Sequence, residues 1–343
     1  MKGKLLSILL VLAMVVTSGG NHADLKPVIA ISGKKSLDKQ EYILTADDSH
    51  SFNQMKEKMN QQGKRVVRHD ISDEQYLEDS HSLVVEMTEE EVAEYEKEKG
   101  ISVEKDQKLT ASNEVSDKSS RLGFIAEEVP LNQYETEEEY SDNPYHFKPC
   151  KDSSNKKENR EIVPWNISCV AGTPHENKYK GKNIKVAVID SGIDTHDELN
   201  TKGWVDFSDT VHGYKPTDNS GHGTAVAGVI AGRINGIGME GIASEADIYS
   251  VKVLDMENTA PVSAVVKAIQ WCIENEIDII NMSFGMDTDS VLLHGIVEQA
   301  YDKGILMIAA AGNDTETVQY PAAYPQVMAV ARWREFAPCL VLR

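Results

Sequence analysis

The chain has 343 residues, of which 41% are hydrophobic and 26% are charged, and its formal net charge at pH 7 is −20. This length exceeds that of one typical domain, so the sequence predicts two or three folded units. The large negative charge excludes the common nucleic-acid-binding proteins, because contacts with phosphate require clustered Lys and Arg side chains.

The N-terminal segment MKGKLLSILLVLAMVVTSGG has the pattern of a secretory signal peptide. Lys2 and Lys4 form a basic start, an apolar run covers residues 5–16, and small residues follow. This run is shorter than the roughly 20 apolar residues that a membrane-spanning helix needs. We therefore predict a signal peptide at residues 1–20 and a secreted protein without a stable membrane anchor. An uncleaved N-terminal anchor is the alternative.

The four cysteines do not have the spacing of a zinc site. In an exported protein Cys150 and Cys169 could form a disulfide, but their spacing alone does not establish one. Cys272 lies in an apolar helical pattern and is expected to be a buried thiol.

Residues 41–109 are predicted to form a small first unit with the element order β-α-β-β-α-β, which is typical of a ferredoxin-like α+β fold. Its strand patterns are EYILTA, KRVVRHDI, SLVVEM and ISVEKDQKL, and its helices are SFNQMKEKMNQQG and TEEEVAEYEKEKG. The second helix begins after the N-cap residue Thr88 and is expected to end at Gly100. The polar and acidic residues 110–160 that follow are predicted to be a linker.

Residues 161–330 alternate between strand and helix patterns, which predicts an α/β unit with a parallel sheet. The strands are NIKVAVID, ADIYSVKVL, IDIINMSFG and ILMIAAAGN, and QVMAVA begins another. The helices between them are GHGTAVAGVIAG, APVSAVVKAIQWCIENE and DSVLLHGIVEQAYDKG. Catalytic groups in such sheets gather at the carboxyl ends of the strands.

Three polar residues fall at these strand ends or at the start of the following helix. Asp190 ends the first strand, His222 begins the small-residue helix, and Asn313 follows a later strand. Each alone has an ordinary structural explanation, as a helix cap, a helix-start residue or a turn. Together, in this order and at these spacings, they predict a catalytic site.

The motifs around these residues resemble those of the subtilisin-like serine peptidases, the subtilase family. AVIDSGID resembles the aspartate segment of the family, GHGTAVAGVIAG its histidine segment, NMSFG its substrate-binding strand and AAAGN its oxyanion segment. IVPWNI resembles the start of the mature enzyme, and residues 41–109 resemble its inhibitory propeptide. The resemblance implies an incomplete subtilisin-like three-layer α/β sandwich at 161–330, preceded by a small ferredoxin-like prodomain.

The resemblance also implies roles for these residues in peptide-bond hydrolysis through an acyl-enzyme. Asp190 would orient His222, which would act as general base and then general acid. The two are separated by 222 − 190 = 32 residues, as in subtilisin itself. Asn313 would donate a hydrogen bond to the tetrahedral oxyanion.

The implied partners are a polypeptide substrate and the propeptide as an intramolecular inhibitor. Ser283, Phe284 and Gly285 would form the substrate-binding strand, with Ser283 and Gly285 bonding an extended peptide and walling the specificity pocket. No nucleic-acid partner is expected.

The nucleophilic serine is expected about 157 residues after the histidine, near position 222 + 157 = 379. The 343 residues contain no Gly-Thr-Ser-Met-like segment to supply it, and the tail ARWREFAPCLVLR, residues 331–343, does not follow the family pattern. We therefore expect a chain truncated before the catalytic serine by a frameshift or a premature end, and inactive as given. The alternatives are a divergent short protein, a degraded gene, or a secreted non-catalytic protein whose prodomain inhibits a related peptidase or helps it fold.

The loop GRINGIGMEG resembles a calcium-binding loop of the family and implies a structural Ca²⁺. Asn235 would contribute its side chain, and Arg233, Ile237 and Met239 their carbonyl groups, while Glu198 occupies the place of a ligand aspartate. Oxygen ligands of this kind suit Ca²⁺. A plain turn without metal is the alternative.

Overall fold

The computed structural model describes residues 39–64, 66, 77, 80–111, 161–164, 167, 178–208, 217–313, 317–331 and 341–342. The predicted signal peptide, nearly all of the predicted linker, Cys150, Cys169 and most of the terminal tail lie outside the described residues. Within them, no helix is long and apolar enough to cross a membrane.

The described residues form an N-terminal unit, residues 39–111, and a C-terminal unit, residues 161–342. The N-terminal unit contains β1 (Gln40–Ala46), α1 (Ser49–Gln62), β2 (Ser82–Met87), α2 (Glu89–Tyr95), β3 (Ile101–Lys105) and β4 (Lys108–Ala111). The C-terminal unit contains β5 (Lys185–Asp190), β6 (Thr201–Asp206), α3 (His222–Ala231), β7 (Asp247–Lys252), β8 (Thr259–Pro261), α4 (Val262–Glu274), β9 (Ile279–Met282), β10 (Phe284–Gly285), α5 (Val291–Asp302), β11 (Leu306–Ala310), β12 (Val327–Val330) and β13 (Val341–Leu342).

The N-terminal unit is a small antiparallel α+β structure, which confirms the predicted class. Its sheet has the order β2-β1-β3, and both pairings are antiparallel. Helix α1 begins because the Asp48 carboxylate accepts a hydrogen bond from Ser51 N, and it ends at Gly63, whose φ is 63°. Helix α2 begins with the capping box that Thr88 and Glu91 form.

One predicted strand of this unit, KRVVRHDI, falls almost wholly outside the described residues. Lys64 and Val66 are the residues described there, and Val66 forms an isolated antiparallel bridge with Val85. The predicted last strand, ISVEKDQKL, divides into β3 and β4. Strand β4 leaves the N-terminal sheet and pairs with the C-terminal unit, forming a separate sheet of order β10-β4-β8.

The C-terminal unit is built on a sheet of order β13-β12-β11-β9-β5-β7-β6. The six strands from β12 to β6 are parallel, which confirms the predicted sheet, and β13 is antiparallel to β12. Strand β5 shows why the sheet needs cover on both faces. Ala187 and Ile189 pack in one core cluster with α4 and α5, whereas Val186 and Val188 pack in the other with α3.

Other elements differ from the sequence prediction in their bounds. The run IDIINMSFG divides at Ser283 into β9 and β10, because β9 joins the parallel sheet and β10 pairs with β4. Strands β6 and β8 were not predicted, since neither has a continuous apolar or a clean alternating pattern. Strand β13 at the end of the tail was not predicted either, and it pairs antiparallel with β12.

Candidate active site

The predicted aspartate and histidine are adjacent at the centre of the C-terminal unit. Asp190 is the last residue of β5, an interior strand between β7 and β9. His222 is the first residue of α3. The Asp190 Oδ1 atom lies 2.6 Å from His222 Nδ1, and both side chains are buried. Two residues that are 32 positions apart in the sequence therefore form one hydrogen-bonded pair.

The close approach of α3 to β5 depends on a glycine. A Cβ atom at Gly223 would lie 2.1 Å from the carbonyl oxygen of Gly192 and 3.2 Å from Asp190 Oδ1. No other residue type could occupy this position without moving the helix away from the strand. Gly223 therefore sets the distance between the aspartate and the histidine.

The electrostatics of the pair favour a histidine that holds its proton more tightly than usual. Burial opposes the charged imidazole and would lower the pKa of His222. The hydrogen bond to Asp190 and the charges of Asp190 and Asp218 outweigh burial, so this pKa is raised. Among the described residues, neither His222 Nε2 nor Asp190 Oδ2 has a hydrogen-bond partner. With Nδ1 bonded to the carboxylate, Nε2 is the nitrogen that can accept a proton.

Asp218 supports this pair, and the sequence analysis did not identify it. Its carboxylate accepts hydrogen bonds from the Ser191 hydroxyl at 2.8 Å, from Gly221 N at 2.9 Å and from Thr224 N at 2.8 Å. Burial alone would raise the pKa of Asp218, but these hydrogen bonds lower it. The carboxylate thus joins the loop after β5 to the first turn of α3. An Asp shortly before a predicted helix is a capping signal that could have pointed to it.

Strand β10 follows β9, which is the sheet neighbour of β5, and it pairs with an extended segment of the chain. Strand β4 pairs antiparallel with β10, with Ala111 opposite Phe284 and Thr110 opposite Gly285. On its other side β4 pairs with β8, and Ala111 N donates a hydrogen bond of 2.9 Å to the carbonyl oxygen of Asn258. Strand β10 therefore accepts an extended segment of the same chain by antiparallel pairing, and its role as a substrate strand stays a prediction.

The side chains of β4, which lies between β10 and β8, point alternately into the protein interior and into solvent; we call the space between β10 and β8 the cleft. Leu109 and Ala111 are buried, at 0% and 4% exposure, whereas Lys108 and Thr110 are exposed. Leu109 belongs to the apolar cluster that also contains Val262 of α4. The cleft thus buries an aliphatic and a small side chain.

Two carboxylates of the N-terminal unit cap helices of the C-terminal unit. Glu104 accepts hydrogen bonds from the Ser290 hydroxyl and from the backbone nitrogens of Val291 and Leu292, at the start of α5. Asp106 accepts from Ser263 N at 3.1 Å and from the Ser263 hydroxyl at 2.6 Å, at the start of α4. Both carboxylates lie where the helix dipole favours negative charge.

Asn313 lies on the same edge of the sheet as the pair. It follows β11, whose neighbour β9 also pairs with β5, so that Met282 lies opposite both Ala309 and Ile189. The residues after Ala309 and Ile189 therefore leave the sheet on one edge. Asn313 is exposed there.

The predicted calcium loop contains a second carboxylate that the sequence analysis missed. Glu161 accepts hydrogen bonds from Asn235 N at 2.7 Å and Gly236 N at 3.0 Å. Glu198 Oε1 accepts from Asn235 Nδ2 at 3.1 Å, while Glu198 Oε2 is buried without a hydrogen-bond partner in the described part of the chain. An unpartnered buried carboxylate oxygen beside an oxygen-rich loop fits a hard cation.

No cluster of three or more His, Cys, Asp or Glu side chains that could hold a metal occurs among the described residues. The two carboxylates of this loop would therefore need the Asn235 side chain and backbone carbonyl groups to complete a coordination shell. The sequence could not reveal Glu161 as part of the loop because it precedes Asn235 by 74 residues.

The C-terminal unit thus combines a parallel α/β sheet with a buried Asp190–His222 pair at the end of β5 and an extended segment paired with β10. The profile described as "Subtilase family" matches residues 181–336. This range contains Asp190, His222, Asn313 and the substrate strand β10. This part of the chain is similar to the subtilase family.

Three relatives are more than 40% identical to this chain over the aligned residues. The Minor extracellular protease Epr of Bacillus subtilis (strain 168) is 43% identical over 192 residues, 55% of this chain and 29% of the relative. Subtilisin E of the same organism is 46% identical over 179 residues, 50% of this chain and 46% of the relative. Subtilisin of Bacillus pumilus is also 46% identical over 179 residues, and 64% of it is covered. The chain thus spans less than two thirds of each.

Proposed function

We propose that the chain carries the aspartate and histidine of a secreted subtilisin-like serine endopeptidase, which hydrolyses peptide bonds through an acyl-enzyme. The observation that carries this proposal is the Asp190–His222 pair, with Nδ1 bound to the carboxylate, Nε2 unpartnered among the described residues and a peptide strand in the neighbouring cleft.

The residues then have the following roles. His222 takes the proton of the attacking serine at Nε2 and later gives it to the leaving amine, while Asp190 holds the ring and stabilises the imidazolium. Asn313 donates to the oxyanion as it forms. Ser283, Phe284 and Gly285 align the substrate by antiparallel pairing, which positions the scissile bond for attack.

The nucleophile is the component that these 343 residues do not supply. No described serine bonds to His222 Nε2, and the sequence contains no Gly-Thr-Ser-Met-like segment. We propose that the serine comes from polypeptide outside these residues and that the 343-residue polypeptide alone does not hydrolyse peptides.

The N-terminal unit acts in this proposal as an intramolecular inhibitor. Strand β4 occupies the substrate strand's pairing edge, and Glu104 and Asp106 hold the unit against α5 and α4. A substrate cannot pair with β10 until β4 leaves it.

The calcium loop and the export of the chain complete the proposal. Glu161, Glu198 and Asn235, with carbonyl groups of Arg233, Ile237 and Met239, would hold a structural Ca²⁺ that fixes the loop after α3. The N-terminal signal pattern and the relative named an extracellular protease support secretion.

This proposal can be tested with a chimeric protein that contains the serine. Residues 39–331 would be joined to the C-terminal portion of Subtilisin E, where the family resemblance places the serine, and assayed with a chromogenic peptide. We expect hydrolysis by this chimera, none by its His222→Ala variant, and none by the 343-residue chain. A folded chimera that hydrolyses no peptide would contradict the proposal.

A second candidate function is favoured by the same docking contacts. The helix starts and the substrate strand that bind the N-terminal unit belong to the part matched by the family profile, so an active relative could present them too. The chain would then inhibit a related peptidase, or help it fold, without catalysis. Incubating Subtilisin E with the 343-residue chain tests this, with the Leu109→Glu variant as control. We expect the wild-type chain to inhibit Subtilisin E and the Leu109→Glu variant to leave it active. Equal activity of Subtilisin E in the presence of either chain would exclude this function.

A further inference from the structure

Asn235 and Gly236 form the single Asn–Gly pair in the 343 residues. The backbone nitrogen that follows an asparagine can attack the carbon of the side-chain amide, and a glycine at that place has no side chain to hinder the approach. The pair lies in the loop between α3 and β7, and Asn235 is exposed to water. The most reactive dipeptide for this chemistry therefore lies where the water that completes the reaction has access.

The Asn235 side chain is folded back over the backbone that would attack it. Its Oδ1 atom accepts a hydrogen bond from Ile237 N at 3.0 Å, which closes a ring that contains the Gly236 nitrogen. Gly236 has a φ of 90°, in the left-handed region that favours glycine. The loop thus holds the amide carbon of Asn235 and the nitrogen of Gly236 in one tight turn.

Glu161 restrains the attacking nitrogen. Its carboxylate accepts hydrogen bonds from Gly236 N at 3.0 Å through Oε2 and from Asn235 N at 2.7 Å through Oε1. The Gly236 N–H must turn away from its acceptor and lose its proton before the nitrogen can attack, so this hydrogen bond has to break first. The Glu161 carboxylate is therefore positioned to slow the reaction.

We propose that Asn235–Gly236 is a modification site, at which Asn235 deamidates spontaneously at a rate that the Glu161 carboxylate limits. Gly236 N forms a bond to Asn235 Cγ, and the Nδ2 group leaves as ammonia with the proton of the Gly236 N–H. Water then opens the cyclic imide. Cleavage of the new bond gives an aspartate at position 235, and cleavage of the original peptide bond gives an isoaspartate.

The product carries a charge that the loop does not accommodate. Asn235 Nδ2 donates to Glu198 Oε1 at 3.1 Å. Deamidation replaces this donor by a carboxylate oxygen, so the hydrogen bond becomes a contact between two negative charges. The same loop holds the start of the C-terminal unit, since Ile162 N donates to the carbonyl oxygen of Gly238 at 2.7 Å. Deamidation should therefore loosen residues 161–164 from the loop.

Peptide mapping of the 343-residue chain tests this proposal, and one tryptic digest supplies an internal reference. Trypsin separates residues 234–252, whose only asparagine is Asn235, from residues 203–233, whose only asparagine is Asn219. Asn219 is also exposed, and the nitrogen after it, Ser220 N, also donates to a carboxylate oxygen, at 3.1 Å. The two sites therefore differ chiefly in the glycine or serine that follows the asparagine.

After incubation at neutral pH, mass spectrometry of the wild type should show more deamidation at Asn235 than at Asn219, and an isoaspartyl methyltransferase should label the 234–252 peptide. Glu161→Ala should raise the Asn235 rate at least about fivefold, the factor that one hydrogen bond provides. Glu161→Gln, which keeps one acceptor oxygen, should give a smaller increase. Glu257→Ala, at an exposed glutamate, is the matched control and should change neither rate.

Deamidation of the wild type that is no faster at Asn235 than at Asn219 would overturn the proposal, as would an unchanged Asn235 rate in Glu161→Ala. The Asn219 rate also reports whether each variant is folded, because global unfolding would accelerate both sites. An increase confined to Asn235 would support the role of Glu161. Equal increases at both sites in Glu161→Ala and in Glu161→Gln would assign the effect to unfolding and contradict that role.

Discussion

At the scale of single residues, the Asp190–His222 pair shows how burial and charge act on one group in opposite directions. Burial disfavours the imidazolium, and the hydrogen-bonded carboxylate favours it more strongly, so the pKa of His222 is raised. A raised pKa in the folded state means that protonation of His222 adds stability. This contribution is complete below the ordinary histidine pKa and is lost as the pH rises through the folded-state pKa.

Replacing the carboxylate should reverse the direction of the shift. In Asp190→Asn the burial of His222 remains but the negative charge is gone, so we expect the pKa of His222 to fall below that of the wild type. Titration of the histidine Cε1 proton by NMR measures this directly. Asp197→Asn, an exposed neighbour, is the control, and an equal His222 pKa in Asp190→Asn and the wild type would refute the assignment.

Residues that act through local motifs could be predicted from the sequence, and residues that act across the fold could not. Asp190 and His222 lie in short motifs with a fixed separation. Glu161 joins the calcium loop from 74 positions away. Its side chain has no local pattern that distinguishes it from an ordinary surface residue, so only the tertiary contacts reveal it.

At the scale of elements, the pairing of β4 is determined by the C-terminal unit and not by its own sequence. The sequence predicts its extended conformation, but assigns it to the N-terminal sheet as the end of one long strand. Asp106 changes this, because its backbone N bonds to Glu41 O while its carboxylate caps α4. The chain thus passes from one sheet to another within residues 105–108. The strands with which β4 pairs lie far away in the sequence, and the hydrophobic periodicity along β4 does not identify them.

Leu109 should carry much of the stability of β4 in the cleft. Removing a fully buried leucine side chain costs about 2–5 kcal/mol, so Leu109→Ala should destabilise the docked strand by an amount in that range. Thr110→Ala, the exposed neighbour, should change the free energy of unfolding by less than about 0.5 kcal/mol. Urea unfolding measures both. Equal effects of the two substitutions would show that Leu109 does not lie in the cleft.

The docking of the N-terminal unit should depend on pH through Asp106. Burial raises the pKa of Asp106 from 3.8 to about 6, against the opposing hydrogen bonds from Ser263. The docked state therefore binds the proton more tightly than the undocked state. Stability is gained as the pH falls from about 6 toward 4, and it is lost as the pH rises through 6.

This dependence can be isolated by comparing the wild type with Asp106→Asn, whose amide cannot titrate. The unfolding temperatures of the two proteins should be compared between pH 4 and pH 7. The difference between the two temperatures should change across this range and be constant above it. A difference that does not vary with pH would mean that Asp106 does not titrate there.

At the scale of the whole molecule, the three-layer architecture explains why the site forms where it does. Strand β5 is interior to the sheet and buried on both faces, so the only place for the Asp190 carboxylate is the strand end. Alternation of apolar strands and amphipathic helices was enough to predict the parallel sheet. The strand order was not predicted, because it is set by which helices cover which face.

Calcium should stabilise the whole C-terminal unit if the loop binds it. A ligand that binds only the folded state at a concentration of 100 times its dissociation constant adds about 2.7 kcal/mol. We expect the unfolding temperature to rise with added Ca²⁺ and to fall with a chelator. Glu198→Gln should abolish the response, whereas Glu245→Gln, an exposed glutamate, should retain it. A response that persists in Glu198→Gln would place the ion elsewhere.

The central claim is that Asp190 and His222 form the general base of a peptidase whose serine lies outside these residues. The most direct test is the pH dependence of kcat/KM for the chimera that supplies the serine. The rate should rise along a single limb whose midpoint matches the His222 pKa found by NMR, and in Asp190→Asn the midpoint should move with that pKa while the rate falls. A limb that does not follow His222, or hydrolysis that survives His222→Ala, would contradict the claim.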